Sequence, residues 1–203
     1  MLWLARLVPY LAVGFGLFFF KNAWLALLGY HLGILLFLGL NRAFGRFRAL
    51  RLVLHPGWAA LAGALSYLAG LLLYLGWDEL LLPADSSVSL ASLGLTAPTW
   101  PWFIAYFALV NPWLEETYWR AWLSGRSQYP VPEDFWFGGY HLLILWPFVS
   151  LGWMALAFVI LSAAAWFWRQ IFRQTGSLLI PVIAHTLADF SILTAVYLRT
   201  IPP

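Results

Sequence analysis

Residues 99–123 read TWPWFIAYFALVNPWLEETYWRAWL, an apolar run long enough to cross a membrane that nevertheless carries Glu115 and Glu116 side by side. A charged side chain at the centre of a bilayer costs at least about 3 kcal/mol, so acidic residues in membrane helices generally face a protein interior or a wet cavity and serve a function. The stretch therefore predicts both a membrane helix and the place in the chain where function resides.

The composition is that of an integral membrane protein. Of the 203 residues, 63% are apolar and 9% are charged, and the mean hydropathy is +0.81, far outside the range of soluble domains. One crossing needs about 20 residues, so the chain has room for about seven crossings and short loops. We expect one transmembrane domain over residues 1–203. The lack of cysteine excludes disulfides, thiolate metal ligands and a cysteine nucleophile.

Hydropathy predicts an all-α fold, a polytopic bundle of about seven transmembrane helices. The predicted segments lie near residues 2–20, 23–40, 52–77, 100–123, 135–148, 151–168 and 178–198. The fifth is short, and the junction FVSLGW leaves room for little more than a turn, so we expect a tight hairpin with the sixth. The start, MLWLARLVPY, lacks the basic region and cleavage motif of a signal peptide, which predicts a retained helix.

The distribution of arginines predicts the orientation. A single short loop after the second segment holds Arg42, Arg46, Arg48 and Arg51. Under the positive-inside rule this loop and the N-terminus are cytoplasmic. The same topology puts Arg6, Arg126, Arg169 and Arg173 on the cytoplasmic side. We interpret the cluster as an orientation signal in contact with lipid headgroups, and we expect no nucleic-acid partner.

Three ionisable residues on separate segments are predicted to lie at one depth. At 1.5 Å per residue, Glu115 lies about 12 Å, His141 about 9 Å and His185 about 10 Å from the cytoplasmic ends of their helices. A carboxylate and two imidazoles in one layer indicate a single site, with its cavity in the cytoplasmic half of the bilayer.

Helical spacing separates the two glutamates. Glu116 and Arg120 are four residues apart with the acid first, which is the favourable order for an ion pair. Glu115 and Arg120 are five apart and diverge, so Glu115 lacks that partner and is the candidate general base. An alternative is that both glutamates merely brace Arg120 in a polar core.

His185 and Asp189 are one helical turn apart, as are Phe137 and His141. A single histidine in an apolar helix is more often structural than catalytic, and His31 and His55 are interpreted in that way. Asp189 is different, because an unpaired carboxylate at that depth is expensive and His185 is its nearest partner in sequence. An aspartate stabilises an imidazolium, which is a strong donor to a developing oxyanion.

These residues together resemble a known family. EETYWR (115–120), FGGYH (137–141) and HTLAD (185–189) match, in order, the EExxxR, FxxxH and HxxxN/D motifs of the CPBP (Abi) family of intramembrane proteases. That family includes type II CAAX prenyl endopeptidases and bacteriocin-processing proteins. SLASLGLT, before the fourth segment, is also similar to the family's approach to its first motif.

The resemblance implies a metal-independent glutamic endopeptidase without a cofactor, its catalytic motifs within residues 111–190. Glu115 and His141 would activate water, and His185 and Asp189 would stabilise the oxyanion. By the same correspondence Glu116 and Arg120 are supporting residues, and Phe137 shapes the cavity. Asp189 departs from the HxxxN pattern of the eukaryotic prenyl proteases, since an ionised aspartate cannot donate a hydrogen bond and an asparagine amide can. Either Asp189 is protonated or it acts through His185.

Three alternatives stay open from the sequence. Two histidines and a carboxylate also form a zinc set, although HExxH spacing is lacking. A non-proteolytic membrane scaffold would resemble relatives that have lost motif residues, yet here every motif position is filled. Buried glutamate and histidine also build the proton relays of transporters.

The expected partners are a peptide or protein-tail substrate and membrane lipid. The small size is typical of a prokaryotic chain, which favours the prokaryotic plasma membrane and makes a prenylated substrate less expected. The oligomeric state is not predicted. Small residues in GWAALAGALSYLAG indicate close packing against a neighbouring helix, or else against a second subunit.

Overall fold

The computed structural model describes residues 2–53, 55–80 and 86–201, which form a helical bundle that contains no strand within those ranges. Its helices are α1 (Leu2–Gly14), α2 (Ala23–Leu40), α3 (Pro56–Leu75), α4 (Ser86–Ser92), α5 (Trp100–Glu115), α6 (Pro132–Leu145), α7 (Leu151–Thr175) and α8 (Leu179–Thr200). π-helical segments continue α1 over Phe15–Phe19 and α5 over Glu116–Leu123, and 3₁₀ helices cover Phe44–Ala49 and Trp77–Leu80.

Every predicted segment overlaps a helix, with differences at the ends. Helix α6 begins at Pro132, because proline suits the first helical turn and the Asp134 carboxylate accepts the Val131 N–H at 2.9 Å. Helix α7 runs seven residues beyond the predicted end, to Thr175. Helix α3 begins at Pro56 rather than at residue 52, and residue 54 in between lies outside the described ranges.

The bundle is that of an integral membrane protein. Four of the described helices, α2, α3, α7 and α8, are long and apolar enough to cross a membrane, and a shorter apolar helix covers Trp3–Phe19. Large apolar side chains cover the outside of the bundle, for example Leu61, Leu65, Leu68 and Leu72 along one face of α3. Such a face suits a hydrocarbon environment and would be a liability in water.

The opposite face of α3 packs closely against α8. It presents the small buried residues Ala62, Gly63, Ser66 and Gly70. At Gly70 the helices approach so closely that a Cβ would lie 2.3 Å from the backbone of Ser191. The small-residue stretch therefore fits a helix of the same chain, and this contact positions the helix that carries His185 and Asp189.

The basic loop and the end of α7 lie at one end of the bundle. Leu178 donates its N–H to the carbonyl of Ala49 at 2.9 Å, and the Ser177 hydroxyl donates to the carbonyl of Arg51 at 2.7 Å. At the same end, Arg169 is fully buried and binds the Asp134 carboxylate at 2.6 and 3.0 Å. This end therefore holds the basic loop together with the start of α6 and the end of α7.

The π-helical segment after α5 lies at the centre of the bundle. Glu116, Tyr118, Trp119 and Arg120 are each at most 2% exposed. Pro112 precedes this segment and cannot donate to the carbonyl four residues earlier, which weakens the α-helical ladder at this point. The sequence predicted a uniform helix to residue 123, but the backbone hydrogen bonds widen to the i→i+5 pattern from Glu116 onward.

Candidate active site

Glu115 is completely buried and is surrounded by donors from four helices. Its Oε1 accepts hydrogen bonds from the hydroxyls of Tyr30 on α2, at 2.6 Å, and Tyr140 on α6. Its Oε2 lies 3.2 Å from Asn111 Nδ2 on α5 and 3.4 Å from His185 Nε2 on α8. A buried carboxylate needs such compensation, so the surrounding helices are organised around Glu115.

His185 joins the three carboxylates of the site. Its Nδ1 lies 2.9 Å from Glu116 Oε1, and its Nε2 lies 3.4 Å from Glu115 Oε2 and 3.5 Å from Asp189 Oδ1. Ionised carboxylates only accept hydrogen bonds, so an arrangement with carboxylates beside both ring nitrogens suits an imidazolium, which carries a proton on each nitrogen. The Trp168 ring stacks on it with centroids 4.7 Å apart.

Glu116 and Arg120 form the ion pair expected from their spacing, with Arg120 Nε 3.2 Å from Glu116 Oε2. The guanidinium lies over the ring of Phe137, 4.1 Å from its centroid, and 5.4 Å from the centroid of Trp168. Both aromatic rings also flank His185. Phe137 and Trp168 therefore hold the cationic side of the site in place through cation–π and stacking contacts.

His141 lies beside this cluster without bonding directly to Glu115. No hydrogen bond joins the two side chains in the part of the chain that the structure describes. The His141 Nδ1 lies 2.7 Å from the Phe137 carbonyl, which only accepts, so Nδ1 carries the proton and Nε2 keeps its lone pair. Tyr140 connects the pair, since its hydroxyl binds Glu115 and its ring lies 4.0 Å from the His141 ring.

The sequence missed several side chains in the site. Tyr30, Asn111, Tyr140 and Trp119 all belong to the hydrogen-bond network around Glu115, and Trp119 Nε1 donates to the Tyr30 hydroxyl at 2.8 Å. Asn111 lies one turn before Glu115 and Tyr140 adjoins His141, so spacing alone could have suggested both. Tyr30 had no such signal, because it comes from a helix without a motif.

His31, which we interpreted as structural, lies at the edge of the same network. Its Nε2 is 3.1 Å from Asn111 Oδ1 and its Nδ1 is 3.1 Å from the Tyr106 hydroxyl. His31 thus contacts the site through Asn111, and it does not touch Glu115, His185 or Asp189 through any hydrogen bond between described residues.

The two adjacent glutamates reach opposite sides of one imidazole. His185 Nε2 contacts Glu115 and His185 Nδ1 contacts Glu116. The expectation that Glu115 lacks Arg120 as a partner agrees with the contacts, although other donors surround Glu115.

An apolar cavity of about 280 Å³ borders the polar cluster. Its wall includes Leu27, Trp100, Phe103 and Leu193, and it reaches the cluster at Tyr30, Asn111 and Tyr140. Among residues 2–53, 55–80 and 86–201, no three His, Cys, Asp or Glu side chains have an arrangement that would hold a metal ion.

Residues 97–191 match the family model described as type II CAAX prenyl endopeptidase Rce1-like. This part of the chain is similar to that family and is called the Rce1-like region below. The match contains all three motifs, from Glu115 to Asp189, and it confirms the family resemblance inferred from them. The Rce1-like region includes every residue of the site except Tyr30 and His31, which α2 contributes. A search of curated proteins and a search of solved structures each gave no match.

The matched family model describes endopeptidases, and this match supports peptidase activity at the level of the family. The chemistry available in the Rce1-like region agrees with hydrolysis. A buried carboxylate, an imidazole whose Nε2 keeps its lone pair and a second imidazole flanked by carboxylates lie on adjoining helices.

Proposed function

We propose that this protein is an intramembrane, glutamate-dependent endopeptidase that hydrolyses a peptide bond near the terminus of a peptide or membrane-associated protein. The observation that carries the proposal is Glu115, a fully buried carboxylate within 3.4 Å of the His185 imidazole in the Rce1-like region. The carboxylate and the imidazole supply the two groups that hydrolysis of a peptide bond needs, a base for water and a donor to the oxyanion.

In the proposed reaction Glu115 and His141 activate a water molecule. One of them accepts a proton as the water oxygen forms a bond to the scissile carbonyl carbon. The π electron pair of the carbonyl moves onto its oxygen, and His185 stabilises this oxyanion with Asp189 as its partner. When the carbon–nitrogen bond breaks, the electron pair and the abstracted proton go to the leaving nitrogen.

The remaining side chains support this chemistry. Tyr30 and Tyr140 fix one oxygen of Glu115, so the other oxygen faces the reacting groups. The Glu116 carboxylate holds His185 in position and is itself paired with Arg120. Phe137 provides the surface on which the Arg120 guanidinium rests.

The proposed setting is the plasma membrane of a prokaryote, with about seven crossings and a cytoplasmic N-terminus. The clustering of the basic loop with the end of α7 supports this orientation, because positively charged loops stay on the cytoplasmic side. A peptide or protein tail then reaches the site from the cytoplasm or from the lipid. The catalytic motifs lie within residues 111–190 of a single transmembrane domain.

The test is cleavage of a fluorogenic peptide library by detergent-purified protein. Glu115→Gln removes the base and keeps the shape of the side chain, so kcat should fall by about 10²–10⁴-fold. Glu133→Gln is the matched control, because Glu133 is also a buried carboxylate but pairs with Arg6 outside the site. Activity should survive a strong chelator.

Three outcomes would contradict the proposal. Loss of cleavage on chelation would favour the zinc peptidase. Absence of cleavage together with a Glu115→Gln protein that still functions in cells would favour a scaffold. Ion-coupled flux through reconstituted protein without any cleavage would favour a transporter.

A further inference from the structure

Two nitrogen atoms converge on a single oxygen of Glu115. Asn111 Nδ2 lies 3.2 Å and His185 Nε2 lies 3.4 Å from Glu115 Oε2. Both side chains are nearly inaccessible to solvent, with residue exposures of 2% and 3%. The Asn111 contact is a hydrogen bond and the His185 contact is within ion-pair distance, so two nitrogen groups lie beside one oxygen in a buried site, as the binding of a developing oxyanion requires.

The hydrogen-bond partners of Asn111 determine which end of its amide faces the site. Its Nδ2 also lies 3.3 Å from Asp189 Oδ2, and ionised carboxylates only accept, so the NH₂ end faces the carboxylates. Its Oδ1 must then accept from His31 Nε2 at 3.1 Å. His31 Nδ1 is left as the acceptor for the Tyr106 hydroxyl at 3.1 Å. When His31 is neutral, every donor in this series of hydrogen bonds has an acceptor.

Asp189 orients both donors but is a poor donor itself. Its two oxygens lie 3.3 Å from Asn111 Nδ2 and 3.5 Å from His185 Nε2. An ionised Asp189 offers no hydrogen to an oxyanion, so His185 would act alone if Asp189 were its only partner. Asn111 lies at the position where the missing amide donor is needed.

We propose that Asn111 is a catalytic residue that forms the oxyanion-binding pair with His185, while Asp189 positions the two. This inference rests on the proposed peptidase function. In the free protein Glu115 Oε2 occupies the place between the two donors. The carbonyl oxygen of the substrate takes that place as Glu115 Oε2 turns to the water, while Oε1 stays bound to Tyr30 and Tyr140, and the developing negative charge strengthens the interaction with both donors.

The test compares kcat and KM for Asn111→Ala with wild type. Loss of one oxyanion donor lowers kcat by about 10²–10³-fold, and KM should stay within about threefold because the interaction strengthens only in the transition state. Asn41→Ala is the matched control, since the Asn41 amide binds the Phe37 carbonyl on α2, away from the site.

The double variant Asn111→Ala, Asp189→Asn returns an amide to the site from α8. We expect it to recover at least about tenfold in kcat over Asn111→Ala alone, because an amide donor is again available. If the role of Asn111 were purely structural, an amide on another helix would not restore kcat. Wild-type kcat in Asn111→Ala, or no recovery in the double variant, would overturn the proposal.

A second variant covers the case in which Asn111→Ala does not fold, as judged by its tryptophan fluorescence melting curve. His31→Phe removes the donor that orients the Asn111 amide, and kcat should then fall by about 10-fold at unchanged KM, as expected for a net loss near 1.4 kcal/mol. An unchanged kcat in folded His31→Phe would contradict the proposed role. If wild type cleaves nothing or Glu115→Gln stays active, the proposed function itself has failed.

Discussion

Replacement of Gly70 by alanine tests whether the close contact between α3 and α8 sets the geometry of the site. A Cβ at Gly70 would lie 2.3 Å from the carbonyl carbon of Ser191 and 2.5 Å from its Cβ and its oxygen. Carbon atoms in contact settle at about 3.5–4.0 Å, so the two helices must separate by about 1 Å or more. Overpacking of this kind costs about 1–3 kcal/mol, and backbone on the opposing side leaves little room to relax.

The matched control is Gly63→Ala on the same face of α3. A Cβ there would lie 3.2 Å from Leu187 Cδ1, the end of a flexible side chain that can move aside. Both substitutions gain about 0.5–1 kcal/mol of helix propensity, so the difference between them reports packing alone. We expect Gly70→Ala to be about 2 kcal/mol less stable than Gly63→Ala, or about 4–8 °C in Tm.

We expect the peptidase activity to fall when α8 is displaced. Ser191 lies two residues after Asp189, and a misplacement of about 1 Å in a catalytic group can lower the rate by about 10²-fold. The assays are thermal unfolding followed by tryptophan fluorescence and peptide cleavage at a temperature where both variants are folded. Equal Tm and equal kcat for Gly70→Ala and Gly63→Ala would refute the packing argument.

Two further substitutions test separate contacts. Tyr140→Phe removes the hydroxyl that donates to Glu115, a hydrogen bond to a charged group worth about 1.5–3 kcal/mol, so kcat/KM should fall by about 10–100-fold. Tyr10→Phe, which loses a bond to a backbone carbonyl outside the site, should leave kcat/KM near the wild-type value. Arg169→Ala removes the donor to the carbonyl of Tyr129, which holds the segment before α6 against α7. We expect faster chymotryptic cleavage at Tyr129 in a limited-proteolysis time course. An unchanged rate would show that Arg169 does not hold this segment in place.

The sequence predicted the helices and the motif residues because both leave local signals. Apolar runs of about 20 residues are long enough to cross a bilayer, and the spacing of Glu116 and Arg120 is by itself sufficient to predict their ion pair. Burial, in contrast, is a property of the assembled bundle. Tyr30 donates to Glu115 from a helix 85 residues earlier, and no periodicity in α2 indicates that contact.

The differences at the ends of helices have a related cause. Hydropathy predicted that the sixth segment ends at residue 168, and the topology put Arg169 on the cytoplasmic side. In the fold Arg169 is 1% exposed and its charge is matched by Asp134 on α6. A buried pair of this kind extends α7 by nearly two turns, and it depends on a contact 35 residues apart in sequence.

The aspartate at position 189 fits the site once its neighbours are considered. In the HxxxN pattern the last residue brings an amide toward the oxyanion, whereas here Asp189 faces the Asn111 amide at 3.3 Å from α5. In this site the amide therefore comes from α5 and the carboxylate beside it from α8. Amides at both positions 111 and 189 would place two NH₂ groups beside the His185 ring and would remove the Asp189 carboxylate as an acceptor. The effect of a substitution at one position therefore depends on the residue at the other. On this reasoning Asp189→Asn in an otherwise wild-type chain should perturb kcat less than Asn111→Ala does, because one amide donor is present throughout.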